Sequence, residues 1–163
     1  MKRTIIALLC AVVATGLLAS ALAVANPWVE STSGDIAEAI GATFGVPEGA
    51  EDVAYSLMPS ENLAEMRFTL DGMEYTARIK PSEEFDDISG MYYEWEIEEP
   101  CVIAFMQGLV KRATEEGETI DLCLWHDAVM GLMYSLSDYT TEPNAASLAE
   151  VAKAVYAPMQ GDN

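Results

Sequence analysis

A single histidine, three cysteines and eight lysines and arginines stand in this chain of 163 residues. Each scarcity excludes something. A structural zinc site takes four Cys, His or carboxylate ligands and a catalytic one takes three. One histidine and dispersed cysteines do not make such a set, so no metal is expected. Eight basic residues face 27 acidic ones, for a net charge of −19. Nucleic acid and anionic membrane surfaces repel a chain of that charge. Motifs are missing too. There is no G-x-S-x-G elbow, no G-x-G-x-x-G, no phosphate loop and no D-x-[DN]-x-[DN]-G calcium loop. The acidic runs Glu83–Asp87, Glu94–Glu99 and Glu115-Glu116 lack the calcium spacing. No cofactor and no catalytic residue are expected.

Charge is also absent from one long stretch. No residue between Thr4 and Ala25 is charged, Lys2 and Arg3 precede it, and Ala23-Val24-Ala25 fits the A-x-A exit pattern. Basic start, apolar middle and small-residue exit are the parts of a secretory signal peptide. Residues 1–25 are therefore read as a signal peptide and 26–163 as one α+β domain. Ala21-Leu22-Ala23 offers a second cleavage point. An uncleaved N-terminal anchor is the alternative, because the uncharged run is long enough to span a bilayer. Cys10 lacks small residues before it and is not read as a lipoprotein cysteine. The expected location is secreted or extracytoplasmic, with cell-surface association as a variant and no stable membrane insertion after cleavage. Cleavage would remove Lys2 and Arg3 but none of the 27 acids, leaving a charge of −21. Such a surface fits a soluble extracellular protein, a basic partner or loosely held divalent cations.

Two cysteines remain beyond the leader, Cys101 and Cys123. An exported protein can keep a disulfide. Both residues also sit in apolar, strand-like runs, where free buried thiols fit. Adjacent strands would bring them close enough to bridge.

The residues that are plentiful carry the fold. Ala64, Met66, Phe68 and Leu70 alternate with polar residues, Asp71-Gly72 follows, and Met73, Tyr75, Ala77 and Ile79 alternate in turn. Alternation on both sides of Asp-Gly predicts a two-residue hairpin. Its register sets Phe68 opposite Tyr75, Met66 opposite Ala77 and Glu65 opposite Arg78. A strand over 53–58 is expected beside it. Met91, Tyr93, Trp95 and Ile97 alternate again and predict a strand that Pro100 interrupts. A turn is expected at Gln107-Gly108, a loop at 114–118, and strands over 120–125 and 132–137. Ile36 and Ile40 share a helical face, which predicts a helix over 33–42. Leu148, Val151, Ala152 and Val155 predict another over 145–157. The fold class is α+β, an antiparallel meander of about seven strands with an N-terminal and a C-terminal helix on one face.

Four residues are binding candidates. Tyr92 is an aromatic on a face it shares with Glu94 and Glu96, and Trp125 and His126 adjoin Asp127. An aromatic stripe can take sugars or peptides, though more often it is core. His126 and Asp127 point to opposite faces of a strand, so they do not form an acid–base pair.

Several stretches resemble a group of uncharacterised exported domains of Gram-positive anaerobic bacteria. They are Asn26-Pro27-Trp28-Val29, Phe44-Gly45-Val46-Pro47, Ala64–Leu70, Asp87-Ile88-Ser89-Gly90-Met91-Tyr92 and Leu132–Ser137. Similar domains form the extracytoplasmic half of anti-sigma-factor-like membrane proteins. The resemblance implies a curved antiparallel sheet and no established enzymatic activity. No cytoplasmic domain precedes the apolar run here, so regulation through a sigma factor is not expected. The expectation is a non-catalytic extracytoplasmic module that binds a protein or a glycan. The alternative is a small secreted hydrolase acting on cell-wall or extracellular polymer. That reading needs a cleft where two acids, or His126 and a hydroxyl, meet.

Overall fold

A computed structural model describes residues 26–140 and 145–157, so the expected signal peptide and Cys10 lie outside the described residues. The chain opens with β1 (Val29–Ser31), α1 (Ser33–Ile40) and β2 (Thr43–Phe44). Three long strands follow, β3 (Glu51–Met58), β4 (Leu63–Leu70) and β5 (Met73–Pro81). Four more come after a long connection: β6 (Ile97–Ile103), β7 (Met106–Glu115), β8 (Glu118–Asp127) and β9 (Leu132–Thr140). Helix α2 (Ala145–Val155) and β10 (Tyr156–Ala157) end the described chain.

The expected hairpin forms in the expected register. Phe68 pairs with Tyr75, Met66 with Ala77 and Glu65 with Arg78. Asp71 and Gly72 take φ of 52° and 81°. Both must be positive in the turn type that matches the twist of two joined strands. Helix α1 is held at its start by Thr32, whose hydroxyl accepts from the Asp35 amide at 3.2 Å while Asp35 accepts from the Thr32 amide at 2.8 Å. This reciprocal pair satisfies amides that a helix start leaves open.

The expected seven-strand meander needs correcting. The main sheet has eight strands in the order β1-β3-β4-β5-β9-β8-β7-β6, all pairs antiparallel. Two meanders meet where β9 inserts beside β5. A second, two-stranded sheet pairs β10 with β2. Helix α1 is not the first element, because β1 precedes it and joins the sheet edge. The stretch 91–96 is not a strand. The turn expected at Gln107-Gly108 falls at Ala104-Phe105, and Gly108 lies inside β7. Pro100 lies within β6, which is tolerated because β6 is an edge strand whose outer amides need no ladder partner.

Both helices contribute to one core on one face of the sheet. Ile36, Ile40, Leu148, Ala152 and Val155 cluster with Met66, Ile79, Trp125, Tyr134 and Leu136. Burying each large apolar side chain contributes about 1.5–3 kcal/mol. A smaller cluster covers the other face: Leu122, Leu124 and Met133 of the sheet pack with Ile88, and Met91 and Trp95 pack against them.

Candidate functional site

Topology dictates that second cover. Strand β5 ends in the middle of the sheet, and β6 lies at the edge beyond β9, β8 and β7. The connection must span four strand spacings, about 19 Å at about 4.8 Å each. Residues 82–96 do this as a strap with no regular secondary structure. The sheet holds it with polar groups. Arg78 donates to the Ser89 carbonyl and to Glu65. Lys111 pairs with Asp87 at 3.6 Å and lies over the Trp95 ring at 5.5 Å. At the start of the strap His126 Nε2 meets the Ser82 carbonyl at 3.0 Å. At its end the Glu96 amide donates to the Arg112 carbonyl at 2.8 Å.

The fixed strap presents a concavity of about 470 Å³ formed by Asp87, Gly90, Met91, Tyr92, Tyr93, Glu94 and Trp95. Tyr92 is 96% exposed. Tyr93 and Trp95 meet edge to face at 5.7 Å. Lys111 already pairs with Asp87 and covers the Trp95 ring, so the groups left to a ligand are the Tyr92 and Tyr93 rings and the Glu94 carboxylate. These suit a flat or cationic group, because ring faces attract cations. A larger hollow of about 710 Å³ lies at the other sheet edge, between Trp28, Tyr55, Glu65 and Arg67. Asn26, the first described residue, forms part of its wall, so the chain enters the domain there.

The four sequence candidates separate in space. Tyr92 and Glu94 line the strap concavity. Trp125 is fully buried in the core beneath the helices, stacked on Tyr134 at 5.1 Å. His126 faces the strap side and holds its start. Cys101 and Cys123 are free thiols with their sulfurs 3.8 Å apart. They stand on β6 and β8, which are not adjacent; β7 runs between them.

A second arrangement escaped the sequence reading. One cross-strand row on the helix side reads Tyr75, Asp138, Asp121, Arg112. Asp121 and Asp138 are 0% and 2% exposed. Arg112 grips Asp121 with two bonds, Nε to Oδ1 at 2.6 Å and Nη2 to Oδ2 at 2.8 Å. Asp138 Oδ1 has no hydrogen-bond partner among the described residues. Burial, with the Asp121 carboxylate beside it, pushes the Asp138 carboxyl up to about 7, against the pull of Arg112. The pattern held a signal for this row. Asp138 follows Tyr134 and Leu136 at spacing two, and Asp121 precedes Cys123 and Trp125 at spacing two. Both acids are in phase with the apolar face.

Two acids do meet here, but neither opens to solvent. A polymer substrate has no route to them in this structure, so the row reads as a buried ionic layer. Its pH behaviour follows from the raised Asp138. The folded protein binds that proton more tightly than the unfolded chain. Its contribution to stability is fully present below about pH 4 and is lost as pH rises towards 7. Asp138→Asn should remove this slope. The variant is expected to gain on the order of 2 kcal/mol over the parent at pH 8 and nothing at pH 4. Urea denaturation at both pH values measures it, and parallel stability curves would refute the assignment.

Among the described residues no group of three or more His, Cys, Asp or Glu is placed to hold a metal ion. No described helix is long and apolar enough to cross a membrane. No protein-family model, no curated protein and no solved structure matches this chain. The geometry itself defines the class: an α+β domain with an antiparallel sheet backed by helices on one face.

Proposed function

We propose that this protein is an exported, non-catalytic binding module, and that the strap 82–96 is its ligand-binding surface. The observation that carries the reading is the aromatic concavity that the strap presents, with Tyr92 96% exposed at its rim. A tyrosine this exposed buries almost none of its surface on folding, whereas aromatic side chains are common anchors in recognition. The ligand class is a basic segment of a protein partner. Glu94 stands beside the tyrosine rings, and the net charge of −19 favours the approach of cations. The leader at 1–25 places the domain outside the cytoplasm in this reading.

Titrating the protein with lysine- and arginine-rich peptides, followed by tryptophan fluorescence, tests the proposal. Binding should weaken with salt. Tyr92→Ala should lower affinity about tenfold, equivalent to about 1.4 kcal/mol, with the unfolding midpoint unchanged. Binding of neutral oligosaccharides alone would replace the basic peptide with a glycan. Unchanged affinity in the Tyr92 variant would remove the strap as the binding surface.

A further inference from the structure

The two thiols beneath α2 are placed in a way that packing alone does not require. Cys101 lies on the edge strand β6, half-buried, and Cys123 lies on β8, fully buried. Their sulfurs meet at 3.8 Å across the intervening strand. They meet on a diagonal: Cys101 pairs with Gly108, whose other partner is Trp125, while Cys123 pairs with Val110 two residues on, and Gly108 has no side chain to fill the gap beside Cys101. A Cβ at 108 would lie 2.9 Å from Cys101 Sγ and 2.7 Å from the Leu124 carbonyl oxygen. Glycine inside a strand costs about 0.5–1 kcal/mol relative to alanine. Here it leaves the gap through which the thiols touch.

We propose that Cys101 and Cys123 form a dithiol site that reacts with disulfide-bearing oxidants, closing reversibly over Gly108. Cys101 is the attacking thiol. It is the accessible member of the pair, and its bond with Cys123 holds it below the usual thiol range, with Lys153 of α2 adding to the effect. Cys123 is buried and pushed upward, chiefly by the same bond, so it is the resolving thiol. The Cys101 thiol gives its proton to water, and the thiolate attacks one sulfur of an external disulfide. A mixed disulfide forms and one external thiolate leaves. Cys123 then loses its proton and attacks Cys101 Sγ. The mixed bond breaks and the second external thiolate leaves. Two protein thiols are oxidised, and one external disulfide is reduced to two thiols.

The closed state differs from the open one. Strands two apart in a sheet lie about 9.6 Å apart, and a disulfide spans Cα atoms up to about 6.8 Å apart. Closure therefore needs the β6-β7-β8 segment to bend towards the helix side at Gly108, with the β6–β7 ladder kept. As an edge strand, β6 can follow that bend without carrying a further strand with it. Bridges made against the backbone in this way are readily reduced, which is what makes the site reversible.

Reduced full-length protein exposed to oxidised glutathione under native conditions, then blocked and mapped by peptide mass spectrometry, tests this. The parent should show a Cys101–Cys123 disulfide that mild reductant reopens without unfolding. Cys123→Ser should stop at a glutathione adduct on Cys101. Cys101→Ser should leave Cys123 reacting at least tenfold more slowly than Cys101 does in the parent. Gly108→Ala should slow closure at least tenfold if it folds, and the two cysteine variants decide the matter if it does not. A parent that retains glutathione on Cys101 without closing, or a Cys123 that takes the first glutathione, would overturn the proposal.

Discussion

Arg112→Met should destabilise the domain by about 3–5 kcal/mol at pH 8, the usual loss when one partner of a buried ion pair is removed. The substitution keeps most of the side-chain volume and deletes the charge. Asp121, 0% exposed, then loses both guanidinium bonds. Asp138 stands next to it across the β8–β9 pair and already lacks a partner for Oδ1 among the described residues. Two carboxylates would share one buried patch with no cation. The sign of the pH effect is fixed by that arrangement. Protonation removes the unpaired charge, so the loss should shrink at pH 5, where a carboxyl raised to about 7 is already neutral. Urea unfolding at the two pH values reads both effects. A loss below about 1 kcal/mol, equal at both pH values, would show that the row is effectively solvated.

Trp125→Ala is the second large effect, with an expected loss of about 3–5 kcal/mol. The indole is fully buried at the centre of the helix-side core and stacks on Tyr134 at 5.1 Å with 7° between the rings. Tyr134 in turn meets Tyr156 edge to face at 5.6 Å. Truncation opens a cavity beneath α2 that these rings cannot collapse into without giving up their own contacts. The indole Nε1 has no hydrogen-bond partner among the described residues, so the loss comes from packing and not from an orphaned polar group. Trp125→Phe should therefore recover more than half of it. If phenylalanine proved as costly as alanine, an unseen polar role for the indole would be required. The same placement bears on recognition, because a ligand cannot reach Trp125 without removing α2.

Local pattern was legible wherever neighbours in sequence are neighbours in space. The Asp71-Gly72 hairpin could be read to the residue, because alternation and turn chemistry act over a few positions. Both helices were legible from their apolar spacing, with ends off by two residues where Gly41 and the short β10 take over. The strand expected over 91–97 failed for a physical reason. Its alternation is real, but the residues lie flat on the open face of the main sheet and not in its ladder, so Met91 and Trp95 face Leu122 and Leu124 through side chains alone. Alternation reports two faces, and a strap has two faces as well. The turn at Gln107-Gly108 failed because glycine there serves a close approach, not a bend. Of the residues lining the strap concavity, Tyr92 and Glu94 were singled out from the sequence, though on the face of a strand that does not form. Trp125 and His126 were not separable from them by composition.

The sequence alone determined the acidic balance, the uncharged run before Asn26, the helical faces and the Asp-Gly hairpin, all properties of residues within a few positions of one another. Only the tertiary structure decided that β9 returns beside β5. That pairing forces 82–96 across the open face as a strap. It also aligns Asp138 with Asp121, and the β6-β7-β8 order places Cys101 over Gly108 towards Cys123. These outcomes depend on which distant strands pair. That choice is made by the summed burial of a whole face, which no local stretch of sequence contains.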